Sequence, residues 1–249
     1  MDVSAGFVIA AVVATIIVGL TKGGLVGVGA LAMPVFALGA PPMQAAAILL
    51  PILMVQDLIG VWAFRRSWNR HIVAVMLPGC LIGVACGWLF AELVSVDMIM
   101  AVVGGIAMVF GLWRLWVERG GRIVAASDSP GWVGTLFGVA TGFTSQIAHA
   151  GGPPFQMWVI PRKLPHIEFA GTTAVLFTIV NWAKVPAYMA LGQFSRHNLV
   201  IAAWLMPLAV ASTFAGVWLV RRISGRLFYV MVNILLVLLG AKLLADAIG

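Results

Sequence analysis

The residues able to do chemistry in this 249-residue chain gather in two short turns and in two long apolar runs. The first turn is Thr21-Lys22-Gly23-Gly24-Leu25-Val26-Gly27-Val28-Gly29. The second is Thr144-Ser145-Gln146-Ile147-Ala148-His149-Ala150-Gly151-Gly152-Pro153-Pro154. Glycine lets backbone amides approach a ligand, and Pro153 or Pro154 suits the first turn of a following helix. A helix N-terminus aimed into a cavity attracts an anion. Thr21, Lys22, Gly23, Gly24, Gly27 and Gly29 in the first turn, with Thr144, Ser145, Gln146, His149, Gly151 and Gly152 in the second, are therefore the candidate substrate contacts. Lys22 adds a positive charge there or is an ordinary loop lysine; His149 pairs with an anion, shuttles a proton or packs. The plainer alternative for the glycines is close helix packing.

Two ionisable residues lie inside apolar runs, where a charge is costly and function is the first suspicion. Asp57, beside Gln56, is eight positions from Arg65 and so roughly 12 Å from that end of its helix. It is the candidate carrier of a coupling proton. Lys184 either snorkels to the nearer interface or works with Asn181, which shares a helix face with it and with Thr178 at three-residue spacing. An ion pair between Asp57 and Lys184 would need substantial helix tilt. Cys80 and Cys86 have no His or acidic partner at metal-ligand spacing and read as small apolar residues. No Walker loop, HExxH helix or GxSxG elbow occurs, so neither a cofactor, a metal nor ATP-driven transport by this chain alone is expected.

Holding these residues in place falls to elements that cannot be soluble. The chain is 62% hydrophobic and 9% charged, with a mean hydropathy of +1.08. Apolar stretches near 43–64, 72–91, 98–113, 167–191, 199–220 and 227–245 approach the ~20 helical residues that cross a hydrocarbon core. The net charge of +7 sits in short loops between these runs instead of on one soluble face, which excludes a nucleic-acid module and suits membrane orientation. Trp62, Trp68, Trp88, Trp113, Trp116, Trp132 and Trp218 fall near run ends, as an interfacial belt requires. Met1 to Gly6 lacks the basic segment of a cleavable signal, so residues 7–21 are kept in the mature fold.

The chain also repeats itself. An offset of 123 places Gly19 on Gly142, Thr21 on Thr144, Gly29 on Gly152, Pro42 on Pro165 and Ala47 on Ala170; one of 129 places Pro78 on Pro207 and Gly87 on Gly216. Matching loops of the two halves carry opposite Lys/Arg signatures, rich in one half where poor in the other. Arg65, Arg66 and Arg70, then Arg114, Arg119 and Arg122, bracket a turn near 94–97 that has no Lys or Arg. Arg162 with Lys163, then Arg221, Arg222 and Arg226, bracket a loop holding only Arg196. Lys and Arg gather on the cytoplasmic side, so the halves are expected to be inverted, an architecture frequent in secondary transporters. The expected fold is an all-α integral membrane protein. A first repeat spans 1–122, a cytoplasmic linker 123–130 and a second repeat 131–249. Each repeat holds a re-entrant or broken-helix hairpin, built from apolar pieces 7–21 and 25–40 or 131–143 and 153–160, plus three spanning helices. The total is eight to ten membrane segments.

At the two turns the sequence resembles the TauE/SafE family of sulfite-exporter-like permeases. GLTKGGLVGVGALAMP, continued by FALGAPPMQAAAI, is similar to its first repeat motif, and GFTSQIAHAGGPPFQMWVIPRKLPHIEFAGTTAV to its second. The resemblance covers nearly the whole chain. It implies export of a small anion, sulfite, a sulfonate or a related organosulfur anion, by a multi-pass permease of the cell membrane. The family's glycine turns fall on Gly23 to Gly29 and on Gly151 to Gly152, while His149 and Ala150 stand where a more glycine-rich run is common. The expected partners are a small anionic substrate and the lipid bilayer, with no nucleic acid; self-association stays open. A membrane-embedded enzyme acting on a lipid or thiol through His149 and Asp57, and a partner subunit that does not transport, are the rival classes.

Overall fold

The computed structural model describes residues 4–25, 28–90, 95–120, 129–220, 222 and 226–248, and all its regular elements there are helical. In chain order they are α1 (Ala5–Lys22), a 3-10 turn (Val28–Leu31), α2 (Ala32–Ala37), α3 (Pro42–Phe64), α4 (Arg70–Phe90) and α5 (Val96–Glu118). Then follow α6 (Gly131–Ala148), α7 (Gly152–Val159), a 3-10 turn (Ile160–Arg162), α8 (His166–Ala190), α9 (Arg196–Val220) and α10 (Arg226–Ile248). Five of these, α1, α3, α4, α5 and α9, are long and apolar enough to cross a membrane. The six long apolar runs of the sequence correspond to α3, α4, α5, α8, α9 and α10. Large apolar side chains such as Leu89, Met189 and Trp204 stand exposed on the outer faces, as lipid contact demands and water would not permit.

The short pieces form hairpins that return to the end where they began. Gly29, the last residue of the first turn, lies against Thr21, while Gly39 lies against Gly6 and Phe7 at the start of α1. The second hairpin closes in the same way. Ser129, two residues before α6, accepts hydrogen bonds from Trp158 Nε1 at 3.1 Å and from Arg162 Nη2 at 2.9 Å. The first arm of each hairpin is longer than the apolar pieces suggest. Each is an 18-residue helix, about 27 Å at 1.5 Å per residue. Polar residues near the ends of these arms do not break the helix, because Thr21 and Thr144 return their hydroxyls to the carbonyls of Ile17 and Ala140.

Each half depends on the other for its neighbours. α1 packs on α9, α4 on α6, α3 on α8 and α5 on α10, and exchanging the halves turns this set of pairs into itself. Glycine sets the close approach: a β-carbon on Gly142 would lie 2.0 Å from the Cys80 carbonyl oxygen and one on Gly19 would lie 1.9 Å from Ser212 Oγ. Gly79 meets Thr135 and Gly83 meets Val139, so α4 and α6 run parallel; Gly19 meets Ser212 and Gly23 meets Gly216, so α1 and α9 do too. By contrast, α3 and α8 are antiparallel, with Asp57 beside Asn181 and Ser67 beside Gly171. The end of α3, with Arg65 and Arg66, thus meets the start of α8, where Asn69 Nδ2 donates to Glu168 Oε1 at 2.9 Å. Arg162 and Lys163 precede that start.

Candidate functional site

The two turns and the middle of α3 and α8 converge on one cavity of about 90 Å³, room for several water-sized groups or one small polyatomic ion. Lys22, at the end of α1, reaches into it from the first half. Its ammonium forms an ion pair with Asp57 Oδ1 and lies 5.2 Å from the centroid of the Phe177 ring, where a cation gains from the ring's quadrupole. The other carboxylate oxygen of Asp57 accepts from Asn181 Nδ2 at 2.6 Å. Asp57 is fully buried. Both its oxygens are therefore engaged, one by each half of the chain.

Lys184 is not itself a lining residue but bonds two that are, Ser145 and His149, and it does not snorkel. It has no exposed surface. Its Nζ donates to the Ser145 carbonyl and hydroxyl oxygens, 3.1 Å each, and lies 2.7 Å from His149 Nδ1. The far nitrogen of that ring, Nε2, is 2.8 Å from the carbonyl oxygen of Ala46. A carbonyl only accepts, so Nε2 carries hydrogen and Nδ1 is the acceptor for the lysine ammonium. Asp57 pairs with Lys22 and Asn181, and Lys184 bonds to neutral groups only.

Local chain geometry explains why His149 sits there. α6 ends with His149 at φ 49°, a left-handed conformation costly for any residue but glycine and nearest to tolerated by Asn, Asp and His. The amides of His149 and Ala150 then cap the carbonyls of Ser145 and Thr144. α1 ends with the same device using Gly24, at φ 115°. His149 thus does the backbone work of a glycine while placing an imidazole against Lys184.

The candidate contacts divide by position. Thr21, Lys22, Gly29, Ser145, His149, Gly152 and Asn181 line the cavity. Gly23 does not: a β-carbon there would meet Gly216 at 2.5 Å, so it serves α1–α9 packing. Gly151 likewise faces Thr141, whose carbonyl would lie 2.7 Å from an added β-carbon. Thr144 satisfies its own helix and Gln146 faces away from this cavity. Gly27 lies outside the described residues. Anion binding by free amides at the start of α7 is limited, because Pro153 and Pro154 have no N–H to offer. Residues that the spacing argument missed are Thr173, Phe177 and Gln156. Thr173, Phe177, Asn181 and Lys184 fall on one face of α8 at four- and three-residue steps, a periodicity legible in the sequence. Thr178, one residue off that face, instead bonds the carbonyl of Ala174.

A multi-pass helical bundle with paired charges and helix ends buried around a cavity belongs to the class of membrane permeases. The chain matches the sequence profile of the family described as Sulfite exporter TauE/SafE over residues 10–243. It is a member of that family, and with it a multi-pass membrane protein of the exporter-type permeases. No curated protein and no solved structure matches the chain.

Proposed function

We propose that the chain exports a small oxyanion of sulfur, sulfite or a small sulfonate, through the cavity between Lys22 and His149. The supporting observation is the charge of that site. Lys22 is balanced by Asp57, whereas the buried Lys184 ammonium has only the Ser145 oxygens and the imidazole of His149. An ion buried without a counter-charge costs several kcal/mol, and an anion in the cavity offsets that cost. The Ser145 hydroxyl, whose oxygen accepts from Lys184 and whose hydrogen is free, and the second N–H of the Asn181 amide line the space and suit an oxyanion, whereas the Thr21 and Thr173 hydroxyls already donate to the Ile17 and Phe169 carbonyls.

Asp57 is the group we assign to coupling. It joins Lys22 of one half to Asn181 of the other, so protonating it would loosen both contacts and free Lys22 for the anion. The arginine-rich end, with Arg65, Arg66 and Arg162, faces the cytoplasm by the loop-charge rule. The halves are then inverted repeats related by an axis in the membrane plane, as the exchange of helix pairs suggests. Export as the direction follows the family's description.

Proteoliposomes containing the purified chain and loaded with sulfite, methanesulfonate, sulfate or chloride test this reading. Release of sulfite or methanesulfonate, chemically unchanged and faster than chloride, supports it. Chemical conversion of the solute would point to an enzyme, and absence of flux for every anion would overturn the permease reading.

A further inference from the structure

A second, smaller cavity lies behind the wall that holds His149. Met43, Gly87, Gln146, Ile147, Tyr188 and Leu191 are among its lining residues. Met43 begins α3, Gly87 nears the end of α4 and Leu191 follows α8, so this cavity sits at the end of the bundle opposite the arginine-rich one. The partition between the two spaces is thin. Ser145 and His149 face the larger cavity, and Gln146 and Ile147 of the same turn face the smaller. The His149 ring stacks on Tyr188, with centroids 5.9 Å apart and planes at 24°, and its Nε2 donates to Ala46, which lines the smaller space.

Gln146 points to a ligand there. Its side chain is 3% exposed, yet its amide oxygen has no hydrogen-bond partner. A buried amide is costly to leave unsatisfied, and its carbonyl and NH2 ends exchange by a half-turn, so it can offer donors to an oxyanion. Tyr188 donates its hydroxyl to the main-chain carbonyl of Gln146 at 3.0 Å and so fixes the turn that carries the side-chain amide. Among the described residues lining the smaller cavity none is charged. An anion would therefore be held there by amides alone, more weakly than beside Lys22 in the larger cavity. A path needs sites weak enough to leave as well as strong enough to enter.

We propose that the smaller cavity is a release subsite for the transported oxyanion, separated from the main site by His149 and Tyr188 acting as its inner gate. This rests on the permease reading. Movement of the imidazole off Ala46 would join the two cavities, and the left-handed backbone at His149 is where a small rotation could swing the ring.

The test uses the full chain with Cys80→Ala and Cys86→Ala, reconstituted and oriented with the arginine-rich end inside. Ile147→Cys, or Met43→Cys as a second reporter, is exposed to an impermeant anionic thiol reagent from outside. Expected is modification slowed at least threefold by methanesulfonate. Thr173→Cys in the main cavity should resist the reagent, and adding His149→Gly, which accepts the backbone conformation, should speed its modification at least tenfold. If both reporters of the smaller cavity react only from inside, or react at a rate indifferent to methanesulfonate while the protein still transports it, the subsite is wrong. If His149→Gly leaves Thr173→Cys as protected as before, the gate is wrong. A parent that moves no anion in the flux assay removes the permease reading, and the subsite with it.

Discussion

Lys184 Nζ and His149 Nδ1 stand 2.7 Å apart, and the imidazole's other nitrogen is committed to the Ala46 carbonyl. Two full charges cannot face one another across that contact, so lysine and histidine hold at most one excess proton between them. Replacing Lys184 by Met removes the ammonium and leaves Ser145 and His149 without their donor. Titration calorimetry should then show methanesulfonate affinity down at least tenfold, with the variant still monodisperse in detergent. His149→Gln should cost less, because an amide can still accept from Lys184. Equal affinities for parent and Lys184→Met would remove the charge argument.

Lys22 lines the cavity while sharing its charge with Asp57. Lys22→Gln should weaken sulfite, largely divalent above neutral pH, more than it weakens methanesulfonate, because the Coulomb term scales with ligand charge. Binding curves for the two anions at one ionic strength provide the comparison. An equal loss for both would assign Lys22 to structure alone.

Asp57→Asn should leave anion binding within a few-fold of the parent and abolish the response of flux to an imposed pH gradient. Asp57→Ala strips partners from both Lys22 and Asn181. Breaking a buried pair in this way costs about 3–5 kcal/mol, and thermal unfolding in detergent should read it as a large fall in Tm. A gradient response that survives in Asp57→Asn would move coupling elsewhere.

Adjacent glycines separate packing from recognition. A β-carbon on Gly152 meets only Gln156, at 3.6 Å, whereas one on Gly151 comes within 2.7 Å of the Thr141 carbonyl. Gly152→Ala should therefore fold normally and lower anion affinity by occupying cavity space. Gly151→Ala should lose thermal stability. The α5 glycine Gly105, with nothing within 4 Å of an added β-carbon, is the control: Gly105→Ala should be neutral or stabilising by up to ~1 kcal/mol.

Sidedness is testable with exposed positions. Ser95→Cys and Ser195→Cys should react with an impermeant thiol reagent added outside cells, and Arg66→Cys should not. All three parent residues are exposed, so the outcome reports the side of the membrane. Labelling of Arg66→Cys alongside Ser195→Cys would defeat the inverted arrangement.

Helix positions were legible because an apolar run of membrane length has little alternative to helix. The hairpins were legible as well, since Gly-rich turns between short apolar pieces break a span. Partner choice was not. That Lys22 meets Asp57, 35 positions away, and that Asn181 joins them follows from how α1, α3 and α8 cross, which no local pattern encodes. Gly23 and Gly152 look alike in sequence, yet one abuts α9 and the other faces the cavity. The extent of α6 was misjudged for a local reason: Thr144 and Ser145 read as turn residues, but a hydroxyl that bonds the preceding turn's carbonyl lets helix continue.

The cross-pairing of α1 with α9 and α4 with α6 has a consequence for biosynthesis. The first half of the chain leaves the ribosome with glycine-lined grooves on α1 and α4 whose occupants have not been translated. Until α6 and α9 arrive, lipid chains must fill those grooves. The halves resemble a clasp whose two parts are each open until joined, and a ribosome stalled after residue 120 would release a fragment with nothing to close on.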